Sequence, residues 1–254
     1  MPNLILSNCI ARGIHAVTLN RPDRRNALSI ELLEALCHEL TRLEQDTTNR
    51  VVILAGDGKV FSAGLDLREA ADTALVERSA NTVKQTLEKL HLTPLIVIAV
   101  VQGGAFAGGA GVMAACDVVI AAEDARISFP EARRGLLPAL VMNVLRHKVR
   151  EGDLRDLLLT GDPISAGRAQ QIGLVQRVVP ATQLHATATT IARSVLAGGP
   201  ETIRQTKKLI GEAFSDAASG GETDLIDRHL AARHSDEARE GLAAFNEKRE
   251  PKWP

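Results

Sequence analysis

Two short stretches of this chain can do chemistry without a reactive side chain. One is Ala63-Gly64 in FSAGLDL; the other is Ala107-Gly108-Gly109 in VQGGAFAGGAGVMAACD, residues 101–117. Each follows a hydrophobic strand-like run, RVVILAGDG and LIVIAVV, and each reads as opening a helix. In a parallel α/β sheet such turns lie at the carboxyl ends of the strands, where ligands bind. The first amides of a helix lack intrahelical partners and carry partial positive charge. Two of them converging on one oxygen would form an oxyanion hole, each donor contributing about 3–4 kcal/mol to a transition state.

The same glycines admit other readings. Gly109, Gly111 and Ala114 fit G-x-G-x-x-A after a strand, the pattern of a dinucleotide phosphate cradle, with Glu123 or Glu131 as the ribose acid. Gly/Ala-rich helix starts produce that match often, and it leaves FSAGLDL without a role. An NAD-dependent dehydrogenase rests on this match alone. A purely structural reading, in which small residues permit close helix packing, fits Gly103, Gly104 and Gly109 equally well. A serine hydrolase is disfavoured: Ser62-x-Gly64 supplies half of G-x-S-x-G, but Val60 stands at the first glycine position.

The surrounding pattern shows what would position these turns. LILSNCIARGIHAVTLNRP reads as two strands around a turn at Arg12-Gly13. Ser29 is placed as an N-cap, with Leu32, Leu33, Leu36, Leu40 and Leu43 at helical spacing behind it. ALVERSANTVKQTLEKLHL predicts a helix ended by Pro94, and DVVIAAED a further strand. This alternation continues to about residue 180 and predicts an α/β core with parallel strands. Beyond it, LHATATTIARSVLAG, PETIRQTKKLIGEAF, ETDLIDRHLAAR and SDEAREGLAAFNEKR all read as helices. Such a tail must bury its apolar faces against the core or another subunit.

Bulk properties narrow the function. The 254 residues carry a net charge of −1 and 2% aromatic side chains, with no Tyr. Neither a basic field nor stacking platforms argue for nucleic acid. Cys9, Cys37 and Cys116 are widely spaced without C-x-x-C, which suggests neither a disulfide framework nor a metal site. No signal peptide or membrane-spanning run is evident, so the expected location is cytoplasmic.

HAVTLNRPDRRNALS, GKVFSAGLDL, VQGGAFAGGAGVMAACDVVIAAEDARISFPEARRGLLP, LLLTGDPISAGRAQQIGLVQRVV and EGLAAFNEKREPKW occur in that order and together resemble the enoyl-CoA hydratase/isomerase (crotonase) superfamily. The resemblance implies a spiral of ββα units over 1–195 and a helical trimerisation region over 196–254, giving a homotrimer or a dimer of trimers. It implies an acyl-CoA thioester substrate and an enolate held by two backbone amides, matched here to Ala63 and Gly108. Coenzyme A would enter with the substrate, near Arg25, Asn26 and Ala27 and near Gly64, Leu65, Asp66, Leu67 and Gly109; no other cofactor and no metal is implied. Arg24, Lys248 and Arg249 are further candidates for its phosphates.

Hydratases of this family carry two glutamates. The second matches Glu131; the first should stand three residues past Gly108, where this chain has Gly111. Some relatives, the 3-hydroxyacyl-CoA hydrolases and dienoyl-CoA isomerases, carry an Asp eight residues past the matching glutamate; Ala139 stands there instead. One carboxyl group suffices for a hydratase in which it both deprotonates water and returns the proton, the preferred expectation. It also suffices for a Δ3,Δ2-enoyl-CoA isomerase shuttling a proton between C2 and C4. A catalytically silent oligomer is the third alternative. Arg133, Arg134 and His147 are candidates for binding a carboxylated acyl tail, although a solvated face is the simpler expectation for each.

Overall fold

The computed structural model describes residues 3–214 and 235–253. The helix expected over ETDLIDRHLAAR lies outside the described residues. The chain divides into two compact units, 1–192 and 193–254.

In the first unit, β1 (Ile5–Ala11) and β2 (Ile14–Leu19) form the expected antiparallel pair. β3 (Val51–Gly56) and β4 (Ile96–Val101) follow in parallel, buried at every position, as strands covered on both faces must be. β5 (Gly104–Phe106) turns off into a second sheet, whereas β6 (Val118–Ala122) returns to the first. β7 (Arg126–Ser128) and β8 (Ile164–Ser165) join β5, and β9 (Arg177–Val179) closes the larger sheet. Its order is β1-β2-β3-β4-β6-β9, and that of the smaller sheet β5-β7-β8.

After the opening hairpin, β4 and β5, and then β6 and β7, feed different sheets before the next helix begins. This strand–strand–helix repetition is what the expected ββα spiral requires. A doubly wound sheet, which periodicity alone did not separate from it, would keep successive strands in one layer.

Helix α1 (Ile30–Glu44) begins where expected: Ser29 Oγ accepts from the Leu32 amide at 3.3 Å, and the leucine stripe is buried. Short α2 (Leu67–Ala71) precedes α3 (Val76–Leu92), which packs beside α1. α4 (Gly108–Ala115) is buried at every residue, packed against α3 and α5 (Ala139–Leu145). Six of its eight residues are Gly or Ala, which allows close packing on every side. α6 (Glu151–Thr160) and α7 (Ala166–Gln171) complete this unit before α8 (Leu184–Leu196).

The second unit holds α9 (Pro200–Ala213) and α10 (Asp236–Glu247). Proline opens α9, where its missing amide costs nothing. Glu237 caps that helix, accepting from the Glu201 and Thr202 amides at 2.7 and 2.8 Å and from Thr202 Oγ1 at 2.7 Å. Among the described residues no helix is long and apolar enough to cross a membrane.

Candidate active site

The turn after β2 is held by Asn26, which is fully buried in a left-handed conformation (φ 53°). Its Oδ1 accepts from the Arg21 amide at 2.9 Å, and its Nδ2 donates to Asp57 O and Val60 O at 2.8 and 3.0 Å. Its carbonyl accepts from Ser62 Oγ at 2.8 Å. One side chain therefore ties residues 21–28 to the loop leading into FSAGLDL. Arg21 adds a second tie, donating to Ala27 O at 2.6 Å and pairing with Asp66 at 2.9 Å. Asn26, expected near coenzyme A, is instead buried in this framework and does not line the cleft, and Arg21 was not singled out in the sequence.

In the FSAGLDL segment the amides alternate. Leu28 N donates to Gly64 O at 2.8 Å and Asp66 N donates to Leu28 O at 3.1 Å, a parallel bridge between Leu28 and Leu65. Leu65's own amide then points away from that strand and makes no hydrogen bond among the described residues. Ala63 does not match its expected role as donor: its amide is already given to Arg25 O at 2.9 Å. The free donor in this loop is Leu65. The segment does not open a helix directly either, since α2 starts at Leu67 behind an Asp66 cap that accepts from Arg68 N at 3.1 Å.

The second glycine turn meets the first. Gly64 takes φ 92°, and a Cβ there would lie 2.7 Å from Phe106 O and 3.0 Å from the Ala107 Cβ. A Cβ on Gly109 would lie 2.6 Å from both Ser62 Cβ and Oγ, so these two glycines serve the docking of one loop on the other. Ala107 is held at φ 50°, ψ −127°, a conformation alanine adopts only under constraint. Its amide is fixed to Ser128 O at 2.8 Å, and the preceding Phe106 amide to Ser62 O at 3.0 Å. Gly108 follows as the first residue of α4, with its amide unbonded among the described residues. A Cβ on Gly108 would meet Leu28 and Leu65 side chains at 3.5–3.7 Å, ordinary contact distance. Protein packing therefore does not demand glycine at 108.

These loops wall a cleft of about 370 Å³. Ala63, Leu65 and Ala107 line it, as do Arg25, Ala27 and Asp66 from the CoA-binding expectation. Gly64, Gly108 and Gly109 do not: Gly64 and Gly109 are turned into the contacts just described, and Gly108 sits next to Leu28 and Leu65. Leu67 opens α2 beside the cleft, and its side chain lies outside the described residues. The dinucleotide reading fails on the same geometry: Gly109 and Gly111 pack against Ser62 and Val141, leaving no cradle. Ser62 is itself buried, donating to Asn26 O and accepting from Gly64 N at 3.2 Å.

The Glu131 carboxyl enters the cleft from the turn after β7. It is 9% exposed, and its Oε2 is buried with no hydrogen-bond partner. Burial raises its pKa, only partly countered by its own backbone amide and the Arg134 charge. A buried carboxyl group whose charged form is penalised is a stronger base than an exposed one and is suited to accept and return a proton.

Similarity to known proteins agrees with this architecture. The model of the enoyl-CoA hydratase/isomerase family matches residues 10–254. The chain belongs to that family. A Thermus thermophilus protein provisionally named an enoyl-CoA hydratase is 35% identical over 245 residues, covering 94% of this chain and 97% of the relative. The 2,3-dehydroadipyl-CoA hydratase of Escherichia coli is 31% identical, with 99% and 98% covered. The crystal structure of an enoyl-CoA hydratase from Bacillus anthracis superposes with a TM-score of 0.93 at 33% identity, covering 98% of each chain. The chain is accordingly an enzyme of the enoyl-CoA hydratase/isomerase family.

Gly111 stands where the resemblance leads one to expect the first glutamate of typical hydratases. A Cβ there would lie 2.6 Å from Val141 Cγ1 and 3.7 Å from Leu87 Cδ2. α5 fills the space a second carboxylate would need. Arg133 is engaged away from the cleft, His147 does not line it, and Arg134 does.

Proposed function

We propose that this enzyme is an enoyl-CoA hydratase working with a single carboxyl group, Glu131. The observation that carries the reading is the buried, unpartnered Oε2 of Glu131 in the cleft that Leu65 lines beside Gly108. The thioester carbonyl oxygen accepts hydrogen bonds from the Leu65 and Gly108 amides. Glu131 takes a proton from water as its oxygen bonds to C3; the electron pair of the double bond passes through C2 to the carbonyl oxygen, giving an enolate. Glu131 then returns the proton to C2 and the carbonyl reforms. Preorganised amides lower the barrier because they need no reorganisation as the negative charge develops.

Coenzyme A enters as part of the substrate, its nucleotide lying against the 21–28 turn and Asp66, where the exposed Arg24 and Arg25 are at hand. Assembly as a homotrimer or dimer of trimers through 196–254 belongs to the same proposal, as does a cytoplasmic location, which three cysteines outside any disulfide support. Truncation after residue 200 is then expected to lower the native mass to that of a smaller oligomer.

The packing of Gly111 against Val141 favours one second reading, a Δ3,Δ2-enoyl-CoA isomerase. There Glu131 removes a C2 proton and delivers it to C4. Incubation with 2-enoyl-CoA and 3-enoyl-CoA substrates in heavy water, read by mass spectrometry, separates the two. Gain of water mass supports hydration, and deuterium uptake without water gain supports isomerisation. Glu131→Gln should lower either activity by at least about a hundredfold. Unchanged turnover in that variant would reject both.

A further inference from the structure

Arg133 and Arg134 follow Glu131 on one short helical turn, yet their surroundings differ. Arg133 Nε donates to Thr160 O at 2.6 Å, and its guanidinium pairs with Asp162. Arg134 lines the cleft together with Glu131, Ala107 and Leu136. Its side chain has no hydrogen bond or ion pair among the described residues, and its charge acts on the Glu131 carboxyl. Arg134 N and Leu136 N both donate to Glu131 O, at 2.9 and 3.0 Å, so the acid and the guanidinium are carried by one hydrogen-bonded turn.

We propose that Arg134 binds a carboxylate on the acyl chain, making the preferred substrates CoA thioesters of dicarboxylic acids. The proposal rests on the reading of Glu131 above, because that reading puts C2 and C3 of the acyl chain beside this turn. In a turn of three residues per repeat, positions i and i+3 lie one above the other. A group a few carbons beyond C3 therefore comes within reach of Arg134. The guanidinium fork matches a carboxylate through two parallel hydrogen bonds, and Leu136 and Ala107 line the cleft beside it for the apolar part of the chain. A second carboxylate alone would push the Glu131 pKa higher still by like-charge repulsion; Arg134 offsets that penalty. Phosphate oxygens are the other anions in the substrate, but they lie at the far end of the pantetheine arm from the thioester.

The test compares 2-enoyl-CoA substrates of equal length ending in a carboxylate or in a methyl group, with the full chain and its Arg134→Leu and Arg134→Lys variants. The full chain is expected to favour the carboxylated substrate by about tenfold or more in kcat/KM, chiefly through KM. Arg134→Leu should abolish that ratio and Arg134→Lys restore part of it. The same ratio measured as binding affinity on Glu131→Gln does not depend on turnover. No preference in the full chain overturns the proposal. So does an equal loss for both substrates in Arg134→Leu together with weaker binding of free coenzyme A, which would identify a phosphate as the ligand. Glu131-dependent turnover without carboxylate preference removes the Arg134 proposal alone; turnover unaffected by Glu131→Gln removes the underlying reading.

Discussion

Gly111 and Val141 compete for one space: a Cβ on Gly111 would come within 2.6 Å of Val141 Cγ1. Valine is branched at Cβ and cannot easily swing aside. Gly111→Glu is therefore expected to destabilise the protein by about 2–3 kcal/mol, through overpacking and an unpaired buried carboxyl group. Combination with Val141→Ala should recover part of that loss. Denaturant midpoints of the single and double variants check this, and equal midpoints for the wild-type chain and Gly111→Glu would show that the position is open.

Glu131 sets a pH dependence with a defined sign. Its folded-state pKa lies above the ordinary 4.5 because burial penalises the carboxylate. The folded state thus holds this proton more tightly than the unfolded state, so its contribution to stability is greatest below the ordinary value and is lost as pH rises through the folded value. Glu131→Gln should be more stable than the wild-type chain at neutral pH, with the difference shrinking on acidification. Since hydration needs the carboxylate, the acid limb of kcat/KM should lie above the ordinary glutamate range, and Arg134→Leu should move it higher. Thermal midpoints and rate profiles between pH 4 and 8 read both effects.

Asn26 should matter more for stability than its polar character suggests. Asn26→Ala removes three side-chain hydrogen bonds and leaves an alanine at φ 53°. A loss of about 3 kcal/mol is expected, since buried partners go unsatisfied and the left-handed conformation becomes costly. Crystal structures of the variant should show the Ser62–Asp66 loop displaced, with activity lost in step.

In the second unit, Glu237→Ala should free the first amides of α9. A loss of about 1–2 kcal/mol is expected for a removed helix cap. Hydrogen exchange at Glu201 and Thr202 should accelerate, while amides of β3 and β4 exchange as before.

The hairpin, the Ser29 cap, the leucine stripe of α1 and the buried strands were legible because each is fixed by local spacing. The ββα spiral was implied by resemblance rather than by periodicity, since whether Gly104–Phe106 joins the first sheet or a second depends on long-range pairing. Within the site, Ala63 was named as donor where the geometry leaves Leu65 free. No side-chain type distinguishes adjacent amides; the Leu28–Leu65 bridge does, by pointing alternate groups in opposite directions. The roles of Asn26 and Arg21 were equally hidden, because their partners are carbonyls and loops distant in sequence. Gly111 was noticed as a missing acid, but Val141 as its replacement emerges only from the packing of α5 on α4.

The most direct measurement is a crystal structure with a bound, non-reactive thioester analogue. The carbonyl oxygen should lie within about 3.1 Å of both the Leu65 and Gly108 amides, with the Glu131 carboxyl facing C2 and C3. A carbonyl bound elsewhere in the cleft, or facing an Ala63 amide released from Arg25, would contradict this.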